Sequence, residues 1–500
     1  MVVQARKYQA YYTKSNPIVA HMVNLLELNG DEQILEPCAG DGAFLDELIK
    51  HSSNLEIDAL ELNIEAIQTL SNKYHFNSNI KVRETDFLND TILDHFVSKG
   101  GYYDAIIANP PYGAWRTIEE RKRLKEKFNG LYAKESYTLF LIQSINLLKE
   151  GGKLSFIIPD TWLSIHMHKQ IRKYILTQTK VKEISLFPSA FFPNINFGYA
   201  NLMIISLEKN SNVQECLNNT FSIYNGFKSV EELGCNNSSH ISKTQLSQKQ
   251  VLNNVDHSFI LNHNESVLKC IQDSQYNIGD ICDCVTGFYS GNDKLFLKVL
   301  NKEIRNSKNY ECVNKQSIQY DCSHNDLNGL SNNKCYVPIV KGGNTKYWKD
   351  DVWFMAWTKE DVAHYIKDKK ARYQNSNYYF KKGIGVPMVS SSSITAALID
   401  KRLFDQSIVG VFPHDENYLY YLLAFFNSPS CNKLIRTINP STNNSSNYIK
   451  KIPFIKPSPD KLSEITNNTK VIVEKIIKGD LDILALETKN NSIIRSLYGF

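Results

Sequence analysis

No stretch of this 500-residue chain approaches the roughly 18–20 consecutive apolar residues that a membrane-spanning helix needs, so no membrane segment is expected. Nor does the N-terminal region combine a basic start, an apolar core and a small-residue cleavage site, and the chain is expected to stay in the cytoplasm. The ten cysteines, scattered from Cys38 to Cys431, contain no Cys-x-x-Cys pair, and Cys282 and Cys284 stand too close for the usual zinc pair. Reduced thiols are expected and no metal site. Charge of one sign is scarce: 57 Lys and Arg against 52 Asp and Glu leave +5, which permits a nucleic-acid partner without requiring one. The full Gly-x-Gly-x-x-Gly run is missing, because Leu45 stands where the third glycine would be, and this argues against a dinucleotide. No convincing Asp…Glu-x-Lys metal cluster stands out either, so a fused nuclease is not expected.

What is present is ordinary globular material, 42% hydrophobic and 22% charged, long enough for two or three domains. The first half alternates strands and helices. Gln33 to Glu36 reads as a strand, followed by the turn Pro37-Cys38-Ala39-Gly40-Asp41-Gly42 and a helix through Leu48. Further strands are expected at Ile57 to Leu62, Ile80 to Glu84, Asp104 to Ala108 and Leu154 to Ile158. Helices are expected from Ile64 to Leu70 and from Tyr137 to Leu148, the latter stopped by Gly151 and Gly152. Val181 to Leu186 and Leu202 to Leu207 can pair as a hairpin around an aromatic loop. The alternation implies an α/β fold, a doubly wound parallel sheet with helices on both faces.

Three carboxylates stand where a nucleoside cofactor needs them. Glu36 lies beside Gly40 and Gly42, at a turn where small residues let a ligand approach the backbone. Glu61 ends the second strand, about 20 residues on, where an acid hydrogen-bonds ribose hydroxyls. Asp86 ends the third and can accept from an adenine amino group, with Phe87 against the ring. Each alone is equally a helix cap or a solvated turn. Their joint order, followed by Asn109-Pro110-Pro111-Tyr112, favours S-adenosylmethionine, whose cationic sulfonium suits an acid-lined pocket.

The stretch Asp104-Ala-Ile-Ile-Ala-Asn-Pro-Pro-Tyr112 carries the chemistry. Two successive prolines cannot continue a ladder, so the chain must turn out at the strand's carboxyl end, where ligands bind in open parallel sheets. An amide, a proline carbonyl and an aromatic ring delivered there can hold a planar amino group and cover its base. The Asn109 side-chain oxygen and the Pro110 carbonyl would accept from the amino group and bias it toward tetrahedral geometry, aiming its lone pair at a methyl donor.

These segments resemble a known family. Tyr11-Tyr12-Thr13-Lys14-Ser15-Asn16-Pro17, Ile34-Leu35-Glu36-Pro37-Cys38-Ala39-Gly40-Asp41-Gly42 and Asn109-Pro110-Pro111-Tyr112 look like the cofactor and catalytic motifs of gamma-class, TaqI-type N6-adenine DNA methyltransferases. Lys14-Ser15 departs from relatives in which Thr-Pro is direct. The resemblance implies a Rossmann-like class I methyltransferase domain over residues 1–210, a connector over 211–265 and a mixed α/β target-recognition domain with a C-terminal helix over 266–500. It implies S-adenosylmethionine held by Tyr12, Thr13, Glu36, Pro37, Ala39, Gly40, Glu61, Asp86, Phe87 and Asn109, with Thr13 and Ser15 closing over it. Ser15 and Pro17 are equally the start of a helix. The implied partner is double-stranded DNA, from which adenine is flipped out for methylation; a monomer is expected, and any cognate restriction endonuclease is a separate chain.

A flipped base is held by aromatic stacking. Tyr112 offers one face and Phe192, in the loop Phe191-Phe192-Pro193-Asn194-Ile195-Asn196-Phe197, offers a second; Phe191 and Phe197 are rivals, and a core role is the plain alternative. The basic segment Arg116 to Lys127 is a helix, its charges either solvated or on phosphate. In the second half, strand-like runs at Leu295 to Leu297 and Tyr336 to Val340 alternate with Gly-rich turns, and Leu462 to Leu484 has helical periodicity. Lys341, Lys346, Arg436, Lys450 and Lys451 are candidate phosphate or base contacts there, or free surface charges. Cytosine N4, an RNA adenine or a glutamine amide are alternative acceptors, since Asn-Pro-Pro-Tyr also serves glutamine methylation.

Overall fold

The computed structural model describes residues 15–113, 116–131, 135–192, 201–234, 238–261, 264–390, 393–439 and 442–500. The chain divides into two compact units, Met1–Leu261 and Asn262–Phe500.

The first unit is built on a nine-stranded sheet: β1 (Gln33–Glu36), β2 (Glu56–Glu61), β3 (Ile80–Glu84), β4 (Tyr103–Ala108), β5 (Leu148–Pro159), β6 (Thr179–Pro188), β7 (Asn201–Lys209), β8 (Thr220–Asn225) and β9 (Ser242–Ser247), in the order β3-β2-β1-β4-β5-β7-β6-β8-β9. β3, β2, β1, β4 and β5 are mutually parallel, and β7 runs antiparallel between β5 and β6. That is the Rossmann-like arrangement expected, and β6 and β7 form the expected hairpin. The order reverses at β1, which has β2 on one side and β4 on the other, so the carboxyl ends of β1 and β4 flank a topological switch point.

Local chemistry sets these elements. Ile106, Ile107 and Ala108 are buried on both faces of β4, as a central parallel strand covered by helices must be. The helix Ile64–Tyr74 starts where Asn63 accepts from the Glu65 and Ala66 amides, and Thr91–Ser98 where Asp90 accepts from those of Ile92 and Leu93. The helix Ser136–Leu147 is buried all round except at Asn146, which explains its run of apolar residues without a polar face. Ser15 is the N-cap of Asn16–Asn24 with Pro17 in the first turn, although its side chain makes no capping hydrogen bond.

One expectation is corrected. Residues 211–265 are not a connector: β8 pairs with β6 and β9 with β8, and Phe221, Ile223 and Leu246 join the first unit's core. The polar composition is that of strands with one wet face at the sheet's margin; in the edge strand β9 only Leu246 is buried.

The second unit carries two four-stranded sheets. One joins Cys282–Thr286, Ile408–Pro413, Gly383–Pro387 and Ala397–Ile399; the other joins Leu297–Val299, Trp353–Ala356, Tyr336–Val340 and Leu403–Phe404. Helices accompany them, among them Leu419–Phe426, Pro429–Ile438, Pro459–Ile477 and Leu484–Tyr498. The Phe425 and Tyr498 rings stack with centroids 4.8 Å apart, fastening the last helix into this unit's core. The nine described cysteines are free thiols, and no described helix is long and apolar enough to cross a membrane.

Candidate active site

The two motifs that carry the chemistry meet at the switch point. Leu35 of β1 is paired with Ile106 of β4, so the turns beginning at Glu36 and Asn109 leave neighbouring strands at the same end. The Cys38 thiol donates to the Asn109 carbonyl at 3.3 Å, tying one turn to the other. Burial, together with Glu36 and Glu61 nearby, pushes the Cys38 thiol well up, so it stays a neutral donor.

Glu36 is 1% exposed, and its Oε2 has no hydrogen-bond partner among the described residues. Burial first, then Glu61, Asp41 and Asp46, raise its carboxyl well above the ordinary range. Pro37, Ala39 and Gly40, all buried, form the following turn. Gly40 donates its amide to Glu61 Oε2 at 2.8 Å, while Glu61 Oε1 accepts from the Leu62 and Asn63 amides at 2.7 and 2.8 Å. Glu61 is thereby aimed across the glycine turn from the end of β2. A buried carboxyl with an unused oxygen, surrounded by three other acids, fits a ligand bearing positive charge and misfits a pyrophosphate.

Asp86 lies at the third corner, after β3. Its Oδ1 accepts from the Leu88 amide at 3.2 Å and from Arg116 Nη2 at 2.6 Å; its Oδ2 accepts from Asn89 Nδ2 at 2.7 Å and Arg116 Nη1 at 2.8 Å. Burial works to raise this carboxyl, but the Arg116 guanidinium, with Asn89 and Leu88, outweighs it and holds Asp86 below the usual range. Phe87 is buried against Phe140, centroids 4.8 Å apart. Sequence reading placed Arg116 on a basic helix and missed this pairing, because nothing in the local spacing ties Arg116 to an acid thirty residues earlier.

Asn109 is half-buried and Pro110 buried. The Tyr112 hydroxyl lies 2.8 Å from Asn109 Oδ1 and 3.1 Å from the Ile157 carbonyl. The Tyr112 ring is 1% exposed and meets Tyr137 edge to face at 6.2 Å. Behind it, the Tyr137 hydroxyl lies 3.2 Å from His168 Nε2, which is 3.2 Å from Glu135 Oε2. Phe192 is 2% exposed, stacked on Phe187 at 6.4 Å. The expectation that a loop position would leave Phe192 solvent-facing is not met, and Tyr112 too turns its ring inward, where its hydroxyl finds two acceptors. Phe191 is half-buried on the same Phe187 ring. Tyr12, Thr13 and Phe197 lie outside the described residues.

In the second unit, the candidate cations divide. Lys341 is an internal partner of Asp293 (2.9 Å) and Asp405 (3.3 Å), Lys346 pairs with Glu487 at 2.6 Å, and Arg436 donates to Asn444 and to the Ser390 carbonyl. Lys450 is exposed, and Lys451 Nζ stands 5.7 Å over the Tyr448 ring. No group of three metal-ligating side chains occurs among the described residues.

Residues 8–192 match the family described as Eco57I restriction-modification methylase. Type II methyltransferase M.HindII of Haemophilus influenzae is 28% identical over 302 residues, which cover 56% of this chain and 53% of that protein. Adenine-specific methyltransferase PglX of Lacticaseibacillus casei is 21% identical over 392 residues, 73% of this chain and 30% of that protein. The chain thus spans about half, or less, of these relatives. Among solved structures, the DrdV–DNA complex superposes with a TM-score of 0.58 at 13% identity, covering 94% of this chain and 58% of that one, a likeness of fold.

Proposed function

We propose that this chain is a site-specific DNA methyltransferase of a restriction–modification system, transferring a methyl group from S-adenosylmethionine to N6 of an adenine turned out of double-stranded DNA. The observation that carries the reading is the junction of the Glu36 and Asn109 turns at the switch point, joined by the Cys38 thiol. The match of residues 8–192 to restriction-modification methylases and the adenine-specific name of one relative support it.

The cofactor supplies an electrophilic methyl on a sulfonium. Glu36 would face its positive charge, Glu61 its ribose hydroxyls, and Asp86 with Phe87 its adenine; Pro37, Ala39 and Gly40 would give the close backbone approach, and Tyr12 and Thr13 are the further cofactor candidates of the N-terminal motif. Asn109 Oδ1 and the Pro110 carbonyl accept from the target amino group and hold its lone pair in line with the methyl carbon. In the transfer so positioned, the new N–C bond would form as the C–S bond breaks, with a neutral thioether as leaving group and the amine's extra proton passing to solvent. The protein contributes positioning and electrostatics, with no covalent intermediate. Tyr112 and Phe192 supply the rings for the extruded base, exchanging a buried contact within the protein for one with the base.

Mapping methylated adenines in DNA from a host expressing the chain tests this directly. Methylation at one recurring sequence is expected, and none with Asn109→Ala, whose cofactor binding should survive. Unmodified adenines with the wild-type chain, or methyl groups on cytosine, would overturn the proposal.

A further inference from the structure

The Asp86 carboxylate has no room for a ligand as it stands. A carboxylate offers about four lone-pair sites, two on each oxygen. Here all four are taken: the Leu88 amide and Arg116 Nη2 on Oδ1, Asn89 Nδ2 and Arg116 Nη1 on Oδ2. The Leu88 and Asn89 donors belong to the turn that shapes Asp86 itself. Arg116 comes from a different segment, with a side chain only 3% exposed.

We propose that Arg116 and the cofactor's adenine amino group are alternative occupants of the Asp86 carboxylate, so that the Arg116–Asp86 ion pair and adenine binding exclude one another. This rests on the cofactor reading above and adds a mechanism of gating to it. Two features decide which partner moves. Asp86 is fixed, because its neighbour Phe87 is buried under Phe140. Arg116 sits immediately before a stable anchor: Thr117 and Glu120 form a reciprocal capping box, the Thr117 amide donating to Glu120 Oε2 at 2.7 Å and the Glu120 amide to Thr117 Oγ1 at 3.2 Å. The guanidinium can therefore swing about a backbone that stays put. A bidentate pair is also the strong kind of hydrogen bond, so the exchange sets affinity rather than following it passively.

The test is calorimetric titration of the full chain with S-adenosylhomocysteine and with S-inosylhomocysteine, which lacks the exocyclic amino donor. Arg116→Met keeps the apolar stem and removes the competitor. It should bind S-adenosylhomocysteine about tenfold tighter than wild type, because part of a charge-assisted hydrogen-bond pair is no longer surrendered. The gain for S-inosylhomocysteine should be much smaller. A second reading uses the wild type alone: phenylglyoxal modification of Arg116, followed by mass spectrometry, should increase when S-adenosylhomocysteine is added. Equal or weaker binding by Arg116→Met, or protection of Arg116 by the ligand, would overturn the exchange and make Arg116 a residue that merely positions Asp86. A wild-type chain that binds neither ligand would instead bring down the cofactor reading itself.

Discussion

The Tyr112 hydroxyl stands 2.8 Å from the Asn109 side-chain oxygen, the atom assigned to the target amino group, while the Tyr112 ring is buried against Tyr137. Tyr112 thus has two separable parts, a hydroxyl that orients an acceptor and a ring suited to stacking. Tyr112→Phe keeps the ring and removes the hydroxyl. If orientation of Asn109 matters, turnover should fall by about 3–10-fold, the worth of one ordinary hydrogen bond, with cofactor affinity unchanged. Tyr112→Ala should lose considerably more. Single-turnover methylation of an oligonucleotide duplex measures both, and a fully active Tyr112→Phe would assign the hydroxyl to folding alone.

On the role proposed for Glu36, cofactor binding should depend on pH with a definite sign. Its carboxyl is raised by burial and by Glu61, Asp41 and Asp46, so the free folded protein holds a proton that an unfolded chain would release. The folded state then loses stability relative to the unfolded one as pH rises from the ordinary carboxyl range toward the raised value. A cation prefers the ionised carboxylate, so its binding expels that proton. S-adenosylmethionine affinity should therefore increase with pH up to the raised value and level off above it. S-adenosylhomocysteine, without the sulfonium, should show a weaker slope, and Glu36→Gln should flatten both. Titration in buffers of different ionisation enthalpy counts the released proton; no release would refute the assignment.

Phe192 can be divided in the same way as Tyr112. Phe192→Leu preserves apolar volume beside Phe187 but removes the π face. Stacking on a base is worth roughly 1–3 kcal/mol by alanine substitution, so this variant should melt near the wild-type temperature and bind target DNA about tenfold more weakly. Its 2-aminopurine signal at the target position should change as well. Phe192→Ala should also lose stability, by about 3–5 kcal/mol for a core phenylalanine. If Phe192→Leu binds DNA normally, Phe192 is core and the stacking ring lies elsewhere in that loop.

The sites were legible wherever chemistry sits on a short segment at a strand end. Glu36, Glu61 and Asn109 each close or follow an apolar run and Asp86 follows a mixed strand, and β1 and β3 fall on the residues expected. What escaped was set by partners remote in sequence. The burial of Tyr112 depends on Ile157 and Tyr137, and the pairing of Arg116 on a strand end thirty residues back. Lys341, read as a phosphate or base contact or else a free surface charge, is fixed by Asp293 and Asp405. A hydropathy pattern reports which face is wet, not which acid a long side chain will meet.

The same limit produced the misplaced domain boundary, and the boundary can be tested. Gln248, fully buried, satisfies all its amide valences across the expected connector: Oε1 accepts from the Val181 amide at 2.7 Å and Asn219 Nδ2 at 2.8 Å, while Nε2 donates to the Leu176 and Thr179 carbonyls at 2.8 and 2.9 Å. Val181 and Thr179 belong to β6, so residues beyond 210 complete the hydrogen bonding of the sheet's interior. A fragment of residues 1–210 loses that glutamine and uncovers the β6 edge and the surface under Phe221 and Ile223. It should unfold without a cooperative transition and bind a hydrophobic dye, whereas residues 1–261 should melt cooperatively and still bind S-adenosylmethionine. Gln248→Leu in the full chain should cost roughly 2–4 kcal/mol, since two buried carbonyls and a buried amide would be left without partners. Denaturant unfolding measures that loss, and an unchanged midpoint in Gln248→Leu would show that the Gln248 hydrogen bonds to β6 add nothing to stability.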